Sequence, residues 1–293
     1  MAEVTIGLPV YNGGETLTRA FDQILAQTYC DFCLVVSDNA STDDTQRICE
    51  HYARRDNRII YKRRETQVLA SENFQGLVVE ATTPYFMWIS HDDIWRPEFI
   101  AKCLERMRYR PDVVCVVPRS NHLYEDGTIR LDQGTAPLSG SPARRLRQCL
   151  GNLDGNHRFY GFFRTDALQR SFSCGTWFFA YDWLVVALSA LEGEHDEVPE
   201  VLFEKFVNPR YHYYKSSSFE FRDRWERTFP GLRFSKELRA KIPQNVWIEC
   251  LPQVFYLNLL VWAQRVQYRH PWAEVAIGAL RRIQKSLQFS EIA

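Results

Sequence analysis

The 293-residue sequence lacks a net charge and lacks the long apolar run of a typical membrane span. Its 36 Lys and Arg equal its 36 Asp and Glu, and no recognised nucleic-acid motif accompanies them, so nucleic acid is not an expected partner. The longest uninterrupted apolar stretch of the C-terminal tail, Leu259 to Ala263, is far shorter than the ~20 residues that cross a bilayer. With 45% hydrophobic residues, the chain is expected to fold as an ordinary globular protein.

Two further absences bear on the cellular compartment. The first residues lead directly into a strand-like run, without the charged and apolar regions of a signal peptide, so secretion by that route is not expected. The eight cysteines show no small disulfide scaffold, and the Cys30-x-x-Cys33 pair has no second pair at zinc spacing. We therefore expect reduced thiols and a cytoplasmic location.

Charge is unevenly distributed along the chain. From Lys205 onward there are 15 Lys and Arg against 7 Asp and Glu, so residues 1–204 carry about eight more acidic than basic side chains. An acidic first part suits metal ligands, and a basic second part suits phosphates or an anionic membrane surface. Solvated helix faces would give the same uneven distribution of charge, so the charge pattern alone does not distinguish them from metal, phosphate or membrane binding.

The first 120 residues alternate strand and helix signals, which predicts an α/β fold with a mostly parallel central sheet flanked by helices. One helix is predicted by apolar residues at helical spacing, namely Leu17, Ala20, Phe21, Ile24 and Leu25. Buried strands are predicted to end at Val10, Val36 and Ser90. Because ligands bind beyond the carboxyl ends of strands in such sheets, the residues that follow should converge on one crevice.

Asp92 and Asp93 follow directly after a predicted buried strand. A divalent cation held by carboxylates at such a place can neutralise a diphosphate leaving group. A bare pair would more simply be a solvated turn in which Asp93 caps the next helix. Two other strand-ending segments favour the cation site over the solvated turn. They are Pro9-Val10-Tyr11-Asn12 and Val36-Ser37-Asp38-Asn39-Ala40-Ser41-Thr42-Asp43.

Together these three segments resemble the N-terminal signature of glycosyltransferase family 2. The resemblance runs from about Val4 to Val117 and continues more loosely through Tyr160–Arg164 to Tyr181–Trp183. It implies the Rossmann-like GT-A fold, with a catalytic domain over 1–215 and a helical C-terminal extension over 216–293. Within that domain, residues 1–120 would bind the nucleotide sugar and residues 121–215 the acceptor.

The resemblance also implies an activity, which is the inverting transfer of a sugar from a nucleotide-diphosphate sugar to an acceptor hydroxyl with Mn²⁺ or Mg²⁺ as cofactor. The acceptor would be a saccharide or a lipid-linked saccharide. By analogy with soluble members of the family, the product would be a bacterial surface polysaccharide such as O-antigen, capsule or exopolysaccharide.

Site residues follow from the resemblance position by position. It assigns Pro9, Tyr11, Asn12, Asp38 and Asn39 to the nucleoside, Asp92 to the ribose and metal, Asp93 to the metal, Arg210 and His212 to the diphosphate, and Asp182 to the general base. Asn39 departs from the Asp-Asp-Gly-Ser form common in the family, which leaves the nucleobase open among uracil, thymine and guanine. Asp182 lies 89 residues after Asp93, close to the family spacing of about 90, although Tyr181 replaces an acidic residue often found there.

Other interpretations of the sequence stay open. A sugar nucleotidyltransferase would want a basic Gly-rich loop after the first strand, and Asn12-Gly13-Gly14-Glu15 has no cation. A catalytically inactive nucleotide-sugar binder or assembly subunit would keep the same fold. The aromatic and basic tail from Pro243 to Ile292 would pack internally, form a homodimer or lie on the inner face of the membrane, and its helical spacing favours internal packing.

Overall fold

A computed structural model describes residues 2–132, 134–153, 156–172, 178–207, 224–267, 275, 277–280 and 282. In chain order its elements are β1 (Val4–Val10), α1 (Leu17–Leu25), β2 (Phe32–Asp38), α2 (Thr45–Arg55), β3 (Ile59–Arg63), α3 (Ala70–Val79), β4 (Tyr85–Trp88), β5 (Ile94–Trp95), α4 (Phe99–Arg108), β6 (Val113–Tyr124), β7 (Ile129–Leu131), α5 (Pro142–Leu150), a 3₁₀ helix (His157–Tyr160), β8 (Phe162–Arg164), α6 (Thr165–Ser171), α7 (Tyr181–Glu192), β9 (Glu194–Val207), α8 (Arg224–Thr228), α9 (Gly231–Lys241) and α10 (Gln244–Gln267).

A single sheet joins the described strands in the order β3-β2-β1-β4-β8-β6-β9-β5, with β7 paired to β6. β1 runs parallel to both β2 and β4, and β2 runs parallel to β3. Beyond β4 the sheet is mixed, because β8 is antiparallel to both of its neighbours whereas β6 and β9 are parallel. The α/β fold is confirmed, with the parallel strands concentrated in the first half of the chain.

Helices cover both faces of the sheet and enclose two apolar cores. One core contains the inner faces of α1 and α4, and the other contains those of α5, α7, α9 and α10. Alternate residues of β6 serve the two cores, since Cys115 and Val117 face one and Val116 faces the other. The predicted stripe of α1 is confirmed, with Leu17, Ala20, Phe21 and Ile24 buried.

Strand β9 is the longest described strand and is not expected from the sequence pattern. Six of its 14 residues are Asp, Glu or Lys, which hides the apolar alternation of a strand. All five of its acidic residues form ion pairs with basic side chains, which are Arg96, Lys102, Arg106, Arg110 and Arg119. The strand brings residues 203–207 alongside the end of β6, which is where the candidate site lies.

Helix α10 packs on the second core through one face and leaves the other face exposed. Cys250, Val254, Leu257 and Val261 are buried, so internal packing is confirmed for that face. Among the described residues, this is the one helix long and apolar enough to cross a membrane by length and composition, and half of its apolar window is buried in the protein, as in a core helix. The boundary expected near residue 215 falls outside the described residues and stays a prediction.

Candidate active site

The loops that follow β1 and β2 are joined by hydrogen bonds. The Asn12 amide N–H donates to Ser41 Oγ at 2.9 Å, and the Asn12 side-chain oxygen accepts from the Thr42 amide at 2.8 Å. Asn12 has φ 53°, a left-handed conformation that asparagine tolerates better than most residues. Pro9 is buried within β1, whereas the Tyr11 ring is 44% exposed just beyond the strand. Of the residues predicted at this loop, Tyr11 therefore offers the accessible surface.

Asp38 is a buried anchor for the loop after β2. Its Oδ1 accepts from the Ser41 amide at 2.8 Å, and its Oδ2 accepts from the Tyr61 hydroxyl and from Arg63 Nη1, both at 2.7 Å. The residue has no exposed surface. Because both oxygens are already engaged, the structure gives Asp38 the role of shaping the loop, and the direct nucleoside contact stays a prediction.

Asn39 locks the same loop to the segment that precedes α3. Its side-chain amide donates to the Val68 carbonyl and its oxygen accepts from the Val68 amide, each at 2.9 Å. An ionised aspartate accepts hydrogen bonds but cannot donate one. The departure from the family's acidic form therefore has a local structural reason, and the nucleobase contact of Asn39 stays a prediction.

The Asp92-Asp93 pair has one exposed and one buried member. Asp93 Oδ1 accepts from the Phe206 amide at 3.1 Å and Oδ2 accepts from the Ser90 hydroxyl. Burial, followed by the charge of Asp92, raises the pKa of Asp93 to about 6. Helix α4 begins only at Phe99, so Asp93 does not cap it. The exposed Asp92 carboxylate, with its hard oxygen ligands, is the better fit for first contact with Mn²⁺ or Mg²⁺.

Asp182 lies in the first turn of α7, after Ala180, whose left-handed φ of 66° marks the start of the helix. Its Oδ2 accepts a hydrogen bond of 2.9 Å from the Asn156 side-chain amide. Its Oδ1 is shielded from solvent and accepts no hydrogen bond from the residues described. Desolvation raises the pKa of Asp182, against the lowering effects of Asn156 and of the Lys205 charge. A carboxylate with one oxygen held and one able to take a proton is suited to general-base chemistry.

Lys205 connects the two acidic centres. The positive charge of its ammonium group lowers the pKa of both Asp93 and Asp182, and the next residue, Phe206, donates its backbone amide to Asp93. It also stands 6.0 Å from the centre of the Tyr160 ring. The charge of Lys205 therefore acts on both the strand-ending Asp93 and the helix-borne Asp182.

Sequence reasoning missed Lys205 and Asn156. Lys205 sits in the charged strand β9, and Asn156 directly precedes the 3₁₀ helix with a left-handed φ of 41°. Asparagine adopts this conformation more readily than most residues, but the sequence alone does not show that Asn156 has it. The predicted diphosphate ligands Arg210 and His212 lie outside the described residues.

Comparisons with known proteins identify the family and the fold. The family model for glycosyl transferase family 2 matches residues 5–172. An uncharacterized glycosyltransferase of Rickettsia prowazekii, RP339, is 35% identical over 97 residues, which are 33% of this chain and 29% of that protein. The chain thus spans less than a third of the length of that relative.

Two solved structures share the fold. Residues 1–349 of TarS from S. aureus in complex with UDP-GlcNAc are 14% identical with a TM-score of 0.64, and the match covers 99% of this chain and 92% of that one. The mannosyltransferase PcManGT from Pyrobaculum calidifontis in complex with GDP-Man and Mn²⁺ is 18% identical with a TM-score of 0.62, covering 99% and 79%. Since the family model spans more than half of the sequence, this chain belongs to glycosyl transferase family 2 and has the GT-A fold.

Proposed function

We propose that this chain transfers a sugar from a nucleoside-diphosphate sugar to an acceptor hydroxyl with inversion at the anomeric carbon. The observation that carries the proposal is that Asn156 holds Asp182 and that the charge of Lys205 acts on both Asp182 and Asp93 of the Asp92-Asp93 pair. Inverting transfer requires a base on one side of the reacting carbon and a means of stabilising a leaving diphosphate on the other. These two groups of side chains supply both functions.

The donor is a nucleoside-diphosphate sugar. TarS in complex with UDP-GlcNAc and PcManGT in complex with GDP-Man support this class of donor and differ in nucleobase. The exposed Tyr11 ring is suited to stack on the base, with Asp38 and Asn39 fixing the loop beneath it. The nucleobase, the sugar and the ligands from 208–223 are left for experiment to identify.

Asp92 would hold Mn²⁺ or Mg²⁺, with Asp93 buried behind it. When bound, the cation neutralises charge on the departing diphosphate. The Mn²⁺ in the PcManGT complex supports this choice of metal. The protein's own part is to fix the pair, because the Phe206 amide and the Ser90 hydroxyl hold Asp93 in place.

Asp182 acts as the base in the transfer. The acceptor oxygen forms a bond to the anomeric carbon, the bond from that carbon to the diphosphate oxygen breaks, and the acceptor proton moves to Asp182. The diphosphate leaves with the bonding electron pair. A positioned base contributes about 10²- to 10⁴-fold in rate, so neutralisation of the leaving group has to supply much of the remainder.

The biological role is proposed to be assembly of a bacterial surface polysaccharide, on a saccharide or lipid-linked acceptor, in the cytoplasm. The exposed apolar face of α10 supports contact with a membrane inner face or with a second copy, through Ile248, Leu251, Phe255 and Trp262. Binding to anionic vesicles tests the membrane contact, and the oligomeric state measured by sedimentation velocity tests the contact with a second copy.

The test is turnover of a panel of UDP-, GDP- and dTDP-sugars with Mn²⁺, with product configuration read by NMR. We expect one donor to be consumed with inversion, and Asp182→Asn and Asp92→Asn each to lose at least about 100-fold of kcat. The matched control is Asp44→Asn, an exposed residue paired with Arg47. Release of pyrophosphate from a nucleoside triphosphate would instead identify a nucleotidyltransferase. Binding of every donor without turnover would identify an inactive binder.

A further inference from the structure

A second cluster of metal-ligating side chains shares no residue with the Asp92-Asp93 pair. His122 on β6, Asp132 after β7 and His157 at the start of the 3₁₀ helix present ligand atoms that all lie within 4.8 Å of one another. The three residues come from three separate elements and are brought together only by the fold. The proposed transfer reaction uses none of them.

The hairpin formed by β6 and β7 places two of these ligands. Asp132 donates its backbone amide to the Ser120 carbonyl at 2.8 Å, which sets it opposite Ser120 on the neighbouring strand. Ser120 and His122 are two residues apart on β6, so their side chains point to the same side of the sheet. The imidazole rings of His122 and His157 have centroids 4.5 Å apart.

The Asp132 carboxylate is oriented towards the cluster. Its Oδ1 accepts from the Gly134 amide at 3.0 Å, and its Oδ2 lies 2.7 Å from His157 Nδ1. The side chains of His157 and Asp132 are only 1% and 7% exposed.

The same contacts argue against a hydrolytic triad. Ser120 Oγ approaches His157 Nδ1 at 2.5 Å, which is the same nitrogen that faces Asp132. A Ser-His-Asp relay needs the hydroxyl and the carboxylate on opposite ring nitrogens. Here both oxygens face Nδ1, so no such relay runs through the ring of His157.

We propose that His122, Asp132 and His157 form a second cation site, which takes a first-row divalent transition metal such as Zn²⁺. Two imidazoles and one carboxylate suit Zn²⁺ better than Mg²⁺, which prefers oxygen ligands. Ligand atoms around tetrahedral Zn²⁺ lie about 3.3 Å apart, so side-chain rotation has to close the widest pair by at most about 1.5 Å.

Such a cation ties the 3₁₀ helix to the β6–β7 hairpin. Asn156, which donates to Asp182, directly precedes His157. Metal at this site therefore fixes the residue that orients the proposed base. The site is defined by its metal content, however, and its existence does not depend on glycosyl transfer.

The experiment uses the full chain, purified with a tag that contains no histidine and dialysed against metal-free buffer. We expect about one equivalent of zinc by mass spectrometry, and visible Co²⁺ absorption after exchange. His122→Ala should lose both signals. Asp92→Asn should keep both, because it changes only the Asp92-Asp93 pair.

Two results overturn the proposal. One is a wild-type chain that holds no stoichiometric metal and shows neither Co²⁺ absorption nor a change in Tm with added Zn²⁺. The other is a His122→Ala variant, folded by circular dichroism, that binds as much metal as wild type. If His122→Ala does not fold, the wild-type metal content and Co²⁺ spectrum decide alone. A wild-type chain that holds the metal but turns over no donor counts against the proposed function and leaves this site intact.

Discussion

At the scale of single residues, Asp182 is placed where its charge is poorly solvated. Burial raises its pKa above the ordinary value of 3.8, so the folded state binds a proton there more tightly than the unfolded state does. The stability that belongs to the protonated form is fully present below the unfolded pKa and is lost as pH rises through the folded pKa. Ionised Asp182 therefore weakens the fold at neutral pH.

Asp182→Asn should consequently raise Tm at pH 7 to 8 while it removes turnover, and the gain should vanish below about pH 3.8. Differential scanning calorimetry across this pH range measures both the gain in Tm at neutral pH and its disappearance at low pH. Asp166→Asn is the matched control, because Arg170 contributes to lowering the pKa of Asp166 and the sign reverses. A Tm for Asp182→Asn that equals wild type at every pH would show that Asp182 carries no burial penalty.

Asn156 holds Asp182 in its ionised form, since its hydrogen bond lowers the pKa of that carboxylate. Asn156→Gly should keep the left-handed backbone and remove the amide. The acidic limb of the kcat/KM profile should then move to higher pH, with lower turnover at its plateau. A reduced plateau with an unmoved limb would mean that Asn156 acts on the fold alone.

Asn39 is expected to stabilise the loop through its two hydrogen bonds to Val68. Asn39→Asp leaves the Val68 carbonyl facing a carboxylate, and we expect a loss of about 1–3 kcal/mol in unfolding free energy at pH 7. Urea denaturation provides the measurement, with the exposed Asn57→Asp as control. Equal stability of Asn39→Asp and wild type would refute this account.

The sequence predicts those residues of the candidate site that stand at a strand end or at a family spacing, and it does not predict the others. Asp92, Asp93 and Asp182 could be predicted as site residues because a strand end and the family spacing mark them. Their division of labour was not predictable, because burial of Asp93 depends on the Phe206 amide, 113 residues away. Lys205 and Asn156 carry no local pattern that distinguishes a site residue from a surface one.

At the scale of elements, β9 joins the site to the rest of the sheet. Apolar periodicity predicted the buried strands and α1, because the apolar residues of each element recur at regular spacing within a short stretch of sequence. It failed for β9, whose acidic residues are neutralised by Arg and Lys from other elements. Only the tertiary fold supplies those partners.

The junction of α7 and β9 has little room. A Cβ at Gly193 would lie 2.8 Å from the Asp112 carbonyl, which already accepts from the Glu194 amide, and would clash with Val114. Gly193→Ala should therefore cost about 1–3 kcal/mol of stability, measured by chemical denaturation. Gly278→Ala, with open space around it, should be close to neutral, and equal effects of the two changes would contradict this packing.

At the scale of the whole molecule, the candidate site draws its residues from two halves of the chain. The parallel half ends in the loops that carry Tyr11 and Asp38, and the mixed half contributes Asp182 and Lys205. The charge division along the sequence fits this arrangement, because the acidic pair comes from the first half and Lys205 begins the basic part. Donor binding should therefore require a cation and both halves of the fold.

The most direct measurement is the thermal shift caused by UDP, GDP and dTDP with and without Mn²⁺, in wild type and Asp92→Asn. A nucleotide at 100 times its Kd stabilises by about 2.7 kcal/mol. We predict that one nucleotide raises Tm of the wild type only when Mn²⁺ is present, and that Asp92→Asn loses this metal-dependent gain. A gain that is the same without Mn²⁺, or that survives in Asp92→Asn, would contradict the claim that Asp92 holds the cation on the diphosphate.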